Sequence, residues 1–122
     1  MTGPVPAINV AIRRVYEPPA PEDGTRVLVD RLWPRGLTKA QAAIDLWAKE
    51  VAPSTELRKW FGHDPARWAQ FEQRYRRELA SRGDVLDDLR ERARAGRITL
   101  VHDARDEVHN DAVVLRVMLV EG

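Results

Sequence analysis

Apolar residues gather into short runs near the two ends of the chain and take helical spacing between them, a pattern that predicts strands around a helical middle. Ile8 to Val15 is rich in branched residues and alternates imperfectly, which reads as a first strand. Glu17 to Gly24 carries three prolines and a glycine and reads as a loop. Val27 to Val29 is a short, buried second strand. Thr38 caps a helical stretch through Ala43, because its hydroxyl accepts from an otherwise orphan amide. Ile44 to Glu50 alternates apolar and polar residues, the pattern of a third, half-exposed strand, and Pro53 ends it.

Helical signals fill the next forty residues or so. Ser54 stands just ahead of Leu57, Trp60 and Phe61 as the cap of a short helix that Gly62 terminates. Asp64-Pro65 pairs an N-cap with a proline at the first helical position. Beyond it Trp68, Phe71, Tyr75 and Leu79 lay one apolar stripe along a helix of about five turns. The opposite face carries Arg67, Gln70, Arg74 and Arg77. Another helix starts at Asp84, buries Val85, Leu86, Leu89 and Ala93, and stops at Gly96. Ile98 to Val101 is a buried strand parallel to the second. Asn110 can cap a last helix through Val120, with strand as the alternative that its valines keep open. The order predicts a single three-layer α/β domain over residues 1–122, with a small, mainly parallel sheet flanked by helices. Ligands of such sheets bind beyond the carboxyl ends of the strands.

Composition narrows the chemistry. The chain has 122 residues and no cysteine, so disulfides, thiolate zinc sites and cysteine nucleophiles are excluded. Met1 to Ala7 lacks the basic patch and apolar run of a signal peptide, and no window reaches the roughly 18 apolar residues of a membrane span. The expectation is a cytoplasmic protein with no membrane partner. Net charge is +1, yet it is sorted by segment. Arg26, Arg31, Arg35 and Lys39 are opposed by Asp30 alone, whereas Asp103, Asp106, Glu107 and Asp111 face only Arg105. These two loops either neutralise each other or build a bipolar site.

The basic turn Asp30 to Gly36 follows the second strand and is dense in binding groups. Arg31 and Arg35 offer planar donor forks to phosphate or carboxylate, and Trp33 offers a flat face. The structural alternative has Trp33 filling the core and the arginines pairing with Asp103 or Asp106. Lys49 and Arg58 would enlarge a cationic site, as would Lys59. In the acidic loop, Asp103, Asp106 and His109 are the candidates for acid–base work. Arg105 and Asn110 join the ligand-binding set, with free amides at a helix starting at Asn110 able to receive an anion. A metal site from His102, Asp106 and His109 lacks any recognised ligand spacing, and His102 reads better as a core residue. There is no Gly-x-Gly-x-x-Gly fingerprint, no phosphate-loop motif and no Gly-x-Ser-x-Gly elbow around Ser54, so no cofactor is indicated by motif.

The basic turn Asp30 to Gly36, Trp47 to Ser54, Glu56 to Phe61, Phe71 to Tyr75 and Asp106 to Leu115 together resemble the bacterial domain of unknown function 488 family, in its YeaO-like branch. The likeness runs from about Ile8 to Leu119. It implies a compact α/β domain and brings no established activity or cofactor. In that branch a lysine–aspartate pair commonly follows the last strand; Arg105-Asp106 stands there here, keeping the charge with a different donor geometry. Other branches carry a cysteine motif that this chain lacks. The reading that follows is a small enzyme, or degenerate enzyme, binding an anionic small molecule at the carboxyl edge of the sheet. The alternative is a non-enzymatic module for nucleic acid or a protein partner, drawn from the arginines of the long helix. Nucleic acid is less favoured, because Glu72 and Glu78 interrupt that basic face and Trp68 belongs to the inward stripe.

Overall fold

The computed structural model describes residues 3–121. Four parallel strands, β1 (Val10–Arg14), β2 (Thr25–Leu28), β3 (Leu46–Trp47) and β4 (Ile98–His102), form one sheet in the order β1-β4-β2-β3. The helices are α1 (Lys39–Ala42), α2 (Thr55–Phe61), α3 (Trp68–Ala80), α4 (Gly83–Ala95) and α5 (Asp111–Glu121). β4 is buried along its whole length, as a central parallel strand covered on both faces must be. Its Ile98 and Leu100 enter the main core with Val10, Val27 and residues of α2 to α5. Val101 faces the other way, into a smaller cluster with Val15, Ala42 and, at its margin, Trp33, Leu37 and Ile44. The three-layer α/β architecture is thus a thick helical layer on one face of the sheet and α1 with its loops on the other.

Local chemistry explains most boundaries. Thr38 accepts from the Gln41 amide at 3.1 Å and Gln41 returns the bond to Thr38, a complete capping box for α1. Ser54 caps α2 through the Leu57 amide, and Gly62 ends it with φ of 53°. α5 is helical because Asn110 caps it through the Val113 amide, while its apolar circumference is taken up by the sheet, α3 and α4. At Gly24, φ is 62° and a Cβ would stand 2.1 Å from the Arg97 carbonyl oxygen, so only glycine lets β2 start beside β4.

Two expectations are corrected. The third strand does not run from Ile44 to Glu50. It is two residues long, and the chain turns at Ala48 into a 3-10 turn over Lys49–Val51 that buries Val51. Lys49 follows that turn and lies over the Trp47 ring, 3.9 Å from its centroid, instead of projecting from a strand. The helix expected to span about five turns is divided. Asp64 caps a 3-10 turn over Pro65–Arg67, and the 13-residue α3 follows, fewer than about four turns. The apolar stripe is intact within α3, where Phe71, Tyr75 and Leu79 are buried.

Candidate functional site

The register Leu28↔Val101 brings the chain after β2 alongside the chain after β4. Val29 still donates to the Val101 carbonyl at 3.1 Å, and one step further the Asp103 amide donates to Asp30 Oδ2 at 2.9 Å. The basic turn and the acidic loop therefore meet, and the tie between them is a carboxylate and an amide. Neither Arg31 nor Arg35 forms an ion pair with the acidic loop among the described residues, which corrects the mutual-neutralisation alternative. The Arg31 guanidinium instead donates to the Pro53 carbonyl at 3.3 Å, and its buried Nε has no hydrogen-bond partner.

Between the loops lies a cleft of about 200 Å³. Asp30, Arg31 and Leu32 of the basic turn line it, with Asp103, Ala104, His109 and Asn110 of the acidic loop. Asp111 at the start of α5 closes it further, and Arg58, Phe61, His63 and Phe71 come from the helical layer. Of the candidates from sequence, the cleft collects Asp30, Arg31, Arg58, Asp103, His109 and Asn110. Trp33, Arg35, Lys49, Arg105 and Asp106 are not among its lining residues.

The outliers have physical reasons. Trp33 Nε1 donates to the Leu37 carbonyl at 2.7 Å and its ring meets Trp47 edge-on at 5.4 Å, so it packs in the smaller core cluster. Arg35 is exposed, and only its carbonyl is engaged, by the Tyr16 hydroxyl. Lys49 rests on Trp47, and Arg105 is exposed. Asp106 contacts the site through His109. It accepts the Val108 and His109 amides, each at 2.9 Å, and the His109 Nδ1 at 2.9 Å. Those bonds hold its carboxyl down at about 2. An ionised Asp106 keeps the proton on His109 Nδ1 and leaves Nε2 as the free nitrogen. Asn110 is 3 % exposed and spends its amide on Asp106 and its oxygen on the α5 cap. His102 is 1 % exposed, accepts the Ala104 amide, and is pushed down to about 4 by burial, so it is a neutral core side chain.

Asp111, counted among the acids of the loop, was not among the candidate site residues. Burial, with the neighbouring Asp111 and Asp103 carboxylates next, pushes the Asp30 carboxyl up to about 10. Asp111 is itself raised by burial and hydrogen-bonds with Asp30. Two carboxyls in contact cannot both ionise at neutral pH, and the pair keeps a proton. The Tyr75 phenol beneath them is buried, donates to the Val51 carbonyl and is raised well above its ordinary value, by burial first and then by Asp111 and Asp30. His63 is another ionisable lining residue not among the candidates. The sequence cues for Asp111 were its place in the acidic loop and directly after a helix-capping asparagine.

Surfaces for nucleic-acid stacking are not free among the tryptophans. Arg74 covers the Trp60 ring at 4.2 Å and Arg67 lies 5.4 Å from it, while Trp68 packs on Phe61, Phe71 and His109. No helix among the described residues is long and apolar enough to cross a membrane.

This is a small parallel α/β domain with a cleft of mixed polar and apolar lining at the carboxyl edge of its central strands. The chain belongs to the domain of unknown function 488 family: the family model described as the inactive DUF488-N3 subclade matches residues 9–122. It is 43% identical over 108 residues to the uncharacterised protein YeaO of Escherichia coli K12, covering 88% of this chain and 94% of YeaO. It is 42% identical over 111 residues to the uncharacterised protein Rv3073c of Mycobacterium tuberculosis H37Rv, covering 91% of this chain and 93% of that one. The uncharacterised protein Mb3100c of Mycobacterium bovis matches to the same extent. No solved structure matches.

Proposed function

We propose that the cleft binds a small anionic molecule and that the domain is a ligand-binding descendant of an enzyme, acting in the cytoplasm. The observation that carries this reading is Arg31, whose buried Nε lacks a partner in a cleft that also contains Arg58. A buried donor without an acceptor costs about 1–3 kcal/mol, and a phosphate or carboxylate that draws the guanidinium further into the cleft would relieve it with charge assistance. The match to a subclade described as inactive supports binding over turnover. The test is thermal unfolding of wild type and Arg31→Ala with phosphorylated metabolites and small carboxylates. A ligand at one hundred times its dissociation constant adds about 2.7 kcal/mol, a shift of several degrees. Shifts that are equal in Arg31→Ala would refute the reading.

One observation favours retained chemistry. Asp106 orients His109, and His109 lines the same cleft as a carboxyl pair that holds a proton, which together would supply a base and an acid. Incubating each binding compound with the protein and following it by proton NMR tests this. Conversion that disappears in His109→Gln supports it; compounds unchanged after prolonged incubation count against it.

A further inference from the structure

The cations of the cleft are outnumbered. Besides Arg31 and Arg58, its lining holds three carboxyl side chains, Asp30, Asp103 and Asp111, and no lysine. A phosphate monoester brings close to two negative charges at neutral pH, whereas a carboxylate brings one. With more acids than cations around it, the second charge of a dianion meets repulsion, while a single charge is held by the arginines. The volume of about 200 Å³ holds on the order of ten non-hydrogen atoms, taking each at somewhat less than the volume of a water molecule. That is the size of a carboxylate carrying one ring.

The lining also has an apolar part, and it adjoins the cation. Phe61 and Phe71 stack at 4.3 Å with 25° between their planes and line the cleft with Ala52 and Pro53. Leu32 joins them from the basic turn with 61 % of its surface exposed, so apolar area is left there for a ligand to cover. The Arg31 guanidinium donates to the Pro53 carbonyl at 3.3 Å, and Leu32 is the next residue along the chain. An anion on Arg31 therefore has apolar surface immediately beside it. The ligand that matches has its charge joined directly to an apolar body, and the stacked phenyl rings favour an aromatic one. A polyol phosphate would instead set hydroxyls without partners against this wall.

We propose that the cleft takes a small aryl monocarboxylate, its carboxylate on Arg31 and Arg58 and its ring against Leu32, Pro53 and the Phe61–Phe71 stack. This rests on the anion-binding reading above and adds the charge and the body of the ligand. Protein-observed NMR titration of the full-length chain at pH 7.5, which reaches millimolar affinities, separates the parts with benzoate, acetate, phenyl phosphate and inorganic phosphate. Phenyl phosphate is largely a dianion at that pH. Benzoate is expected to bind at least about tenfold tighter than acetate, the lower end of what burying a phenyl side chain contributes, and tighter than phenyl phosphate. Leu32→Ser, at an exposed position, should weaken benzoate at least about threefold and leave acetate unchanged, whereas Arg31→Ala should weaken both. Arg58→Gln, also at an exposed position, supplies that comparison if Arg31→Ala does not fold. Benzoate no tighter than acetate or phenyl phosphate, or benzoate unaltered in Leu32→Ser, would overturn the aryl monocarboxylate and leave the anion site standing. Failure of all four compounds to bind would overturn both, as would benzoate binding that neither arginine variant alters.

Discussion

Replacing Asp30 by asparagine should change the pH dependence of stability by one proton. In the native protein the Asp30 carboxyl is raised from 3.8 to about 10, by burial first and by Asp111 and Asp103 next. The unfolded chain has lost that proton by neutral pH while the native chain keeps it. Above 3.8, therefore, the native state binds the extra proton, and stability falls as pH rises until the pH passes the native value near 10. Each such proton contributes about 1.4 kcal/mol per pH unit. His102 acts in the opposite sense. Its imidazole is lowered from 6.5 to about 4, so the unfolded state binds the extra proton between those values and stability rises with pH there. The two slopes oppose each other in acid, and the range from pH 7 to pH 9 isolates the carboxyl pair. Over those two units Asp30→Asn should gain about 3 kcal/mol on wild type, a ceiling because relaxation and solvent screen buried charges. Asparagine can still accept the Asp103 amide and donate to Asp111, so the comparison is not one of lost contacts. Urea denaturation at pH 7, 8 and 9 with unchanged m-values is the assay. Equal slopes for the two proteins would refute a shared proton at this site.

Three other outcomes are expected. His102→Gln should gain on wild type as pH falls from 6.5 toward 4, by up to about 3 kcal/mol, because its amide oxygen can accept the Ala104 amide without the cost of charging a buried imidazole; urea titrations of both proteins at pH 4.5 and 6.5 check it. Asp23→Ala should cost about 3–5 kcal/mol by urea unfolding, since it leaves the buried Arg26 guanidinium without the carboxylate now 2.7 Å away. Arg35→Ala should leave both the melting temperature and any ligand-induced shift within error of wild type, because its side chain is exposed and outside the cleft; a lost ligand shift would show that the anion site has been misplaced.

The carboxyl edge was legible because it depends on runs of buried residues. Val27 to Val29 and Ile98 to Val101 can only be central strands, and each is followed by the loop that bears the charge. Which of those charged groups converge was not legible, because that is set by register and by which way a turn faces. Leu28↔Val101 pairing places Asp30 against Asp103, and the same turn sends Trp33 to the opposite face, onto Trp47 and Leu37. The meeting of Asp111 with Asp30 was hidden for a related reason. An acid at the start of a helix has a sufficient local explanation in the helix dipole, and only the three-dimensional meeting of α5 with the end of β2 gives it another carboxyl as neighbour. The short third strand failed on equivalent grounds, since Lys49 reads as an outward strand position but follows a turn that lays it over Trp47.

The Asp30–Asp111 pair bears on function through what it does to stability. As a structural tie it is poorly chosen: asparagine at position 30 offers the same acceptor to Asp103 and a donor to Asp111 without a titrating group that weakens the fold as pH rises. Elsewhere the buried polar groups are well served, the Arg13 Nε on β1 excepted. Arg26 has Asp23 and two carbonyls, Thr99 has the Asp23 carbonyl, and Asn110 uses both ends of its amide. The Arg31 Nε, by contrast, is one of two buried side-chain atoms without a partner among the described residues, and it lines the same cleft as the carboxyl pair. One of the two unpartnered buried donors and the carboxyl pair thus fall in one place, while the other donor, Arg13 Nε, lies outside the cleft. Local departures from otherwise consistent folding chemistry concentrate where a chain binds something. A ligand that gives Arg31 an acceptor and shares the proton of the pair would remove both at once. Its stabilising effect should accordingly shrink in Arg31→Ala and in Asp111→Ala, by amounts that do not simply add in the double variant because one molecule bridges the two groups.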